Sequence, residues 1–224
     1  MFKEIGLVKT AFYLVLVGCF TILGAACSAV DAGYVLKVGP QEKLSSPSLA
    51  SKIAKDGNII EIDAAGHYDG DAVVWWQNNL TIRGVNGRPH IRASGASAEG
   101  KALWVVKGNN TTVENVEISG ARVSDGNGAA IRQEGTGLTL RHCYFHHNEN
   151  GILAGANEKS DIVIEHSEFS YNGAGSGQTH NIYIGGVRSF TLKYSYSHHA
   201  RMGHNVKSRA ERNYILYNRL NLRH

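Results

Sequence analysis

The sequence contains few cysteines and prolines and carries little net charge. Of its 224 residues only 3 are cysteines, and Cys19 and Cys27 lie in an N-terminal apolar run, so an internal disulfide framework is excluded. The formal charge is +4 with both signs interspersed, which argues against a nucleic-acid-binding protein. With 3 Pro and 26 Gly, the composition favours short strands and tight turns in one packed domain.

The N-terminus has the pattern of an export signal. Lys3 and Lys9 flank the start of the apolar run "TAFYLVLVGCFTILGAAC", and small residues follow it up to Ala29. The run approaches the ~20 residues of a spanning helix, so an uncleaved anchor is the alternative. We predict a signal peptide at 1–29, with "GAAC" indicating a lipoprotein type, and an exported periplasmic or extracellular protein. It would touch a membrane only through this signal or a lipid anchor.

The strongest pattern in the chain is a repeat. The segments "LTLRHCYFHHN" (138–148), "IVIEHSEFSYN" (162–172) and "FTLKYSYSHHA" (190–200) align without gaps, with apolar and small residues in register. Copies begin every 20 to 31 residues, and each shows two period-two stretches separated by a break. A third apolar piece follows in several copies, such as "NIYI" and "HNVK".

Three short strands per repeat predict one coil of a parallel β-solenoid whose stacked coils share a continuous core. Leucine-rich repeats have a similar period, but their helical segment and Leu/Asn spacing are absent from the sequence. One segment, 45–57, has helical caps and apolar Leu49 and Ile53 at i,i+4, which indicates an N-terminal cap. The end, "YNRLNLRH", stops partway through a coil, so we expect residues 30–224 to be a β-helix domain that is truncated or completed by another copy.

The segment "YVLKVGP…SLASKIAKDGNIIEIDAAGHY" and the "IxIxxSxFxxN" coils resemble the right-handed parallel β-helix (pectin-lyase-like) superfamily over residues 34–219. The resemblance implies an all-β fold, a single-stranded right-handed parallel β-helix of about six coils with an N-terminal helical cap. It does not imply one activity, because this architecture carries lyases, hydrolases, epimerases and non-catalytic proteins.

Two tetrapeptides, "HNIY" (180–183) and "HNVK" (204–207), occupy matching points of successive coils. Outward side chains of stacked coils form columns about 4.8 Å apart, so both tetrapeptides should face one wall. We predict that Ile182 and Ile184 point inward, whereas Asn181, Tyr183, Asn205 and Lys207 point outward. The candidate catalytic residues are Lys207, His204, His180 and Tyr183, and the candidate substrate-binding residues are Asn181, Asn205, Arg209, Arg188 and Arg201.

These residue types suit β-elimination on a uronic-acid polysaccharide, which needs a cation for the carboxylate, a base for the C5 proton and a proton donor. An arginine or a bound calcium ion could be the cation, Lys207 or a histidine the base, and Tyr183 or a histidine the donor. The segment "VKSRAERNYILYN" is similar to the "KS..N....N" segment of β-helix alginate and chondroitin lyases, which implies that Lys207 is the base. The first asparagine of this segment, Asn213, lies two residues beyond the position that the lyase pattern gives it. Those lyases also use an arginine one coil further on, and the residue that could match it here is Arg223 in the tail.

Other interpretations remain open. The same His, Asn and Tyr residues could decorate the face of a non-catalytic β-solenoid that binds a surface, or the chain could be an inactive truncated homologue. The "HH" pairs at 146–147 and 198–199 lie two coils apart, too far for a shared zinc ion, and we predict bends there and no metal site. "YDGDAV" and "SDGNG" could bind calcium or form turns. Hydrolysis is disfavoured because the third strands lack paired carboxylates.

Overall fold

The computed structural model describes residues 34–175 and 177–221, which form a parallel β-helix with three sheets. The signal peptide predicted at 1–29 and Arg223 lie outside the described residues. From Thr81 onward each coil contributes one strand to each sheet in turn, and all pairings between neighbouring strands are parallel. The predicted all-β solenoid is confirmed, and its six or so coils correspond to the six strands in each of the second and third sheets.

The strands are numbered in chain order. The first sheet contains β1 (Val35–Val38), β2 (Ile59–Asp63), β4 (Thr81–Val85), β7 (Thr111–Glu114), β10 (Leu138–Arg141), β13 (Asn157–Glu165), β16 (Val187–Lys193) and β19 (Arg212–Leu216). The second contains β5 (His90–Arg92), β8 (Glu117–Ser119), β11 (Tyr144–His146), β14 (Glu168–Ser170), β17 (Tyr196–His198) and β20 (Arg219–Leu220). The third contains β3 (Val73–Trp75), β6 (Ala102–Val106), β9 (Ala129–Gln133), β12 (Asn150–Ala154), β15 (Ile182–Ile184) and β18 (Val206–Ser208).

The N-terminal helical segment is present but shorter than predicted. Helix α1 spans Pro47–Ile53, and the Ser46 hydroxyl caps it by accepting a hydrogen bond from Leu49 N–H. The buried residues of this helix are Pro47 and Ala50, whereas Leu49 and Ile53, the apolar pair spaced i,i+4, are exposed. No helix among the described residues has the length and hydropathy to cross a membrane.

The core consists of inward columns of apolar side chains in register. In the first sheet the column runs Ile60, Ile82, Val113, Leu140, Ile164 and Leu192, all fully buried. Trp75 and Trp104 meet edge to face in the third sheet with ring centroids 5.7 Å apart. Stacking of equivalent residues in consecutive coils therefore explains why the sequence repeats with this period.

The bend between the first and second sheets uses the left-handed backbone region. Residues at this bend have φ values between 48° and 55°, which is uncommon for residues other than glycine. The bend residues are Asn115, His142, His166, Tyr194 and Tyr217. The four rings from His142 to Tyr217 stack with centroid spacings of 5.0, 5.1 and 5.4 Å. His147 and His199 occupy a second left-handed bend, so the predicted bends at both "HH" pairs are confirmed.

The outer face of the first sheet carries a ladder of alternating charge. The column, here called the charge ladder, runs Lys37, Glu61, Arg83, Glu114, Arg141, Glu165, Lys193 and Leu216. Arg141 contacts the carboxylates of both neighbouring coils, at 3.2 Å from Glu114 and 3.4 Å from Glu165. A network of this kind contributes more than its individual exposed pairs, each worth about 0–1 kcal/mol.

Cys143 belongs to a hydrogen-bonded column at the small-residue position of the repeat. Its backbone N–H donates to Ser167 Oγ at 3.1 Å, and Ser167 N–H donates to Ser195 Oγ at 3.2 Å. The thiol is buried among backbone carbonyls, and this burial raises its pKa to about 12. The thiolate needed for alkylation is therefore scarce and inaccessible in the folded chain.

We expect iodoacetamide at pH 8 to alkylate Cys143 at least ~100-fold more slowly in the native protein than in denaturant. Peptide mapping by mass spectrometry separates this residue from Cys19 and Cys27. The same peptide, labelled in denaturant, is the control. Rapid native labelling of Cys143 would contradict the packing described here.

Candidate functional site

The third sheet presents an outward column of residues from six successive coils. In order these are Val74, Val105, Arg132, Leu153, Tyr183 and Lys207. Tyr183 of β15 pairs directly with Lys207 of β18, and Ile182 and Ile184 point into the core. The predicted orientation of these four residues is confirmed.

A cleft of about 570 Å³ opens beside the C-terminal half of this column. Its lining contains three cationic side chains, Arg132, Lys207 and Arg209, and none of the described residues that line it is acidic. The other lining residues are Asn127, Leu153, Ala154, Gly155, Ala156, Gln178, Tyr183, Gly185 and Gly186. The cleft lining therefore combines one aromatic side chain, Tyr183, with three cationic side chains.

The backbone of consecutive coils comes close at one side of the cleft. A Cβ atom on Gly185 would lie 2.9 Å from the carbonyl oxygen of Ala154 and 2.8 Å from the carbonyl carbon of Gly155. These distances leave no room for a side chain at Gly185, so glycine directly after β15 allows the backbones of the two coils to approach closely here.

Two of the three cations, Lys207 and Arg209, lie close to the Tyr183 ring. Lys207 Nζ lies 5.6 Å and Arg209 Cζ 5.9 Å from the centroid of the Tyr183 ring. Neither Lys207 nor Arg209 forms an ion pair with a described residue, and Arg132 Nε is 3.8 Å from Glu134 Oε1. An uncompensated positive field at a partly enclosed surface attracts anionic ligands.

His180 lies behind Tyr183 rather than in the cleft. Its side chain is fully buried, its ring stacks on Tyr183 with centroids 5.6 Å apart, and Nδ1 accepts a hydrogen bond from His204 N–H. Burial, assisted by the charges of Lys207 and His204, lowers the pKa of His180 to about 4. A neutral ring whose Nδ1 accepts carries its proton on Nε2, so the structure gives His180 a supporting position instead of the predicted catalytic one.

Asn181 and Asn205 were predicted to face outward, and the structure shows this orientation to be wrong. Both belong to an interior ladder in which Asn148 donates to Asn172, Asn172 to Asn181 and Asn181 to Asn205. Asn181 is fully buried and also donates to the carbonyl of His198 at 2.8 Å. The amide ladder therefore runs from Asn148 and Asn172 through Asn181 to Asn205.

Three other predicted site residues lie outside the cleft lining. Arg188 is on the first sheet, where it pairs with Asp161. Arg201 is exposed in the bend that follows β17, and its backbone N–H donates to Asn172. His204 is exposed and its ring lies 5.2 Å from that of His180.

Arg132 completes the cationic lining and was missed from the sequence. It follows Ile131 in "AAIR", and Ile131 shares the inward column with Ile152, Ile182 and Val206. Extending the register that joins Tyr183 to Lys207 back by two coils places Arg132 on the same outward column.

The turn interpretation of the acidic segments is supported at one of them. Asp125 Oδ1 accepts a hydrogen bond from Asn127 N–H at 3.0 Å, which closes its own turn. Asp71 accepts from Ser48 N–H at the start of helix α1, and Asp69 lies 3.7 Å from Arg92. These contacts account for both segments through structural roles.

Comparisons with known proteins agree with this architecture. Neither the curated proteins nor the solved structures gave a significant match. The family model described as "Right handed beta helix region" matches residues 70–221, which include strands of all three sheets and the residues that line the cleft. The chain therefore belongs to the right-handed β-helix family.

Proposed function

We propose that the protein binds an acidic polysaccharide in the cleft of the third sheet. The observation that carries this proposal is the lining, which combines Arg132, Lys207 and Arg209 with no acidic side chain among its described residues. Carboxylates of uronic acids pair well with arginine and lysine, and a sugar ring packs well on an aromatic face such as that of Tyr183.

The spacing of the cations favours a polymer over a single sugar. Arg132 and Lys207 lie three coils apart in one column, which corresponds to about 14 Å at the usual strand separation. One monosaccharide carboxylate cannot contact both, whereas a chain of uronate units along the column can. The proposal also requires export, as the N-terminal apolar run predicts.

Single substitutions in the cleft should weaken binding. We expect Lys207→Ala and Arg209→Ala each to raise the dissociation constant for polygalacturonate or alginate about 10- to 150-fold, because each removes a charge-assisted contact worth about 1.5–3 kcal/mol. Binding should weaken with added salt, and neutral dextran should not bind. Isothermal titration calorimetry or affinity electrophoresis measures both effects.

Lys193→Ala is the matched control, because it removes the same charge from the first sheet, where Lys193 pairs with Glu165. It should leave binding unchanged. Equal weakening by Lys193→Ala and Lys207→Ala would mean that general charge, rather than this cleft, retains the polymer.

The direct pairing of Tyr183 with Lys207 supports a second candidate, β-elimination. In this reaction the Lys207 amine would take the C5 proton, the C4–O bond would break as the C4=C5 double bond forms, and Tyr183 would protonate the leaving oxygen. Ultraviolet absorbance of unsaturated uronate, followed with and without calcium, separates the candidates. Formation of unsaturated product that is abolished by Tyr183→Phe and by Lys207→Ala would indicate a lyase. Binding of the polysaccharide without formation of this product would indicate a binding protein.

A further inference from the structure

A second cluster of chemically active side chains lies on the outer face of the second sheet, away from the cleft. His90, Glu117 and His146 come from β5, β8 and β11 in three successive coils. One nitrogen of each histidine and one Glu117 oxygen all lie within 4.8 Å of one another. Their side chains are 15–25% exposed, so the cluster is partly enclosed and still reachable from solvent.

The distances within the cluster suit a tetrahedral zinc-type ion. Glu117 Oε1 lies 3.2 Å from His90 Nδ1 and 3.0 Å from His146 Nε2. Ligand atoms about 2.0–2.2 Å from a tetrahedral ion are about 3.3 Å apart, so small side-chain rotations would complete this geometry. Two imidazoles and one carboxylate match zinc and similar transition metals, whereas calcium and magnesium prefer oxygen ligands.

The other ring nitrogens also lie within hydrogen-bond distance of polar atoms. His90 Nε2 lies 2.8 Å from Ser119 Oγ, and His146 Nδ1 lies 2.7 Å from His147 Nδ1. If His90 Nδ1 and His146 Nε2 bind a metal, these remaining nitrogens carry protons and donate to Ser119 and His147. Such outer contacts fix ring orientation and raise affinity for the metal.

The repeat supplies an internal comparison. Two coils later, Glu168 and His198 repeat the Glu117–His146 arrangement, with Glu168 Oε1 3.1 Å from His198 Nε2. His90 pairs with Glu117 from the preceding coil, whereas the residue that pairs with Glu168 from its preceding coil is Tyr144. The second copy therefore has two candidate ligands and the first has three.

We propose that His90, Glu117 and His146 bind one divalent transition-metal ion of the zinc class, with a fourth position open to water. A bound ion would link three consecutive coils of the second sheet, and its open position could polarise a water molecule or a ligand oxygen. The site lies on a different sheet from the cleft, so it does not rest on the proposed function.

The test is zinc binding by the untagged full-length protein after chelator treatment and dialysis. Isothermal titration calorimetry with Zn²⁺ should give one strong site, and zinc should raise the unfolding temperature. His90→Ala and His146→Ala should each lower the affinity at least ~100-fold, since the loss of a direct ligand exceeds the 10–100-fold cost of losing an outer contact. Circular dichroism checks that both variants fold, and Glu117→Gln provides a third, nearly isosteric variant.

His198→Ala is the matched control, because it removes a histidine from the same column in the coil pair that lacks the third ligand. It should leave zinc affinity unchanged. Absence of stoichiometric zinc binding would overturn the proposal. So would unchanged affinity in His90→Ala, or an equal loss in His198→Ala, because either result places the metal at other histidines.

Discussion

Replacing Asn181 with alanine is expected to lower the free energy of unfolding by about 4 kcal/mol, because each buried polar group left without a partner costs about 1–3 kcal/mol. The Asn181 carboxamide accepts from the backbone N–H of Asn172 at 3.1 Å and from its Nδ2 at 2.9 Å. It also donates to Asn205 Oδ1 at 2.9 Å and to His198 O at 2.8 Å. Alanine at this fully buried position removes the accepted and the donated hydrogen bonds together.

Urea denaturation followed by circular dichroism measures this loss. The control is Asn213→Ala, which removes an exposed carboxamide with one hydrogen bond, to Ala210 O at 3.0 Å. We expect it to cost less than about 1 kcal/mol. Similar costs for the two variants would show that the ladder does not hold the coils together.

Acidification from pH 6.5 to 4 is expected to destabilise the protein by up to about 3 kcal/mol through His180 alone. The pKa of His180 is lowered from 6.5 to about 4 in the folded chain, first by burial and then by the charges of Lys207 and His204. Between these values the unfolded chain binds a proton that the folded chain does not, so stability rises with pH in this window. The contribution is complete above about pH 6.5 and is lost as the pH falls to about 4.

The measurement is a series of urea transitions at pH 7.0 to 4.0 for the wild type and His180→Gln. The pKa values of His90 and His147 are also lowered, mainly by burial, so the wild-type slope is composite and the difference between the two proteins isolates His180. His67→Gln, which removes an exposed histidine between β2 and β3, is the control. If His180→Gln kept the full wild-type dependence of unfolding free energy on pH, His180 would not be the source of this destabilisation.

The parts of the fold that follow strict periodicity could be predicted from the sequence. The repeat places Ile182, Tyr183 and Ile184 beside Val206, Lys207 and Ser208, and the structure shows this register. In a solenoid, equivalent residues of consecutive repeats pair in parallel, so aligning the repeats is enough to predict which residues of neighbouring strands pair.

The orientation of Asn181 and the His90, Glu117 and His146 cluster could not be predicted from the repeat. Asn181 immediately precedes β15, at a corner where alternation of side chains no longer applies, and it turns into the core. The His90, Glu117 and His146 cluster is diagonal, since His90 pairs with Glu117 whereas His146 pairs with Ser119. An alignment of equivalent positions cannot reveal a diagonal contact, which depends on side-chain reach across the sheet.

The charge ladder has a consequence for how such a protein can change length during evolution. Deleting the single coil that contains Arg141 would place Glu114 beside Glu165, and like charges directly opposite on neighbouring strands are destabilising. Deleting that coil together with the next would place Glu114 beside Lys193, which restores an attractive pair. Gene duplications and losses that preserve this face should therefore be easiest in steps of two coils.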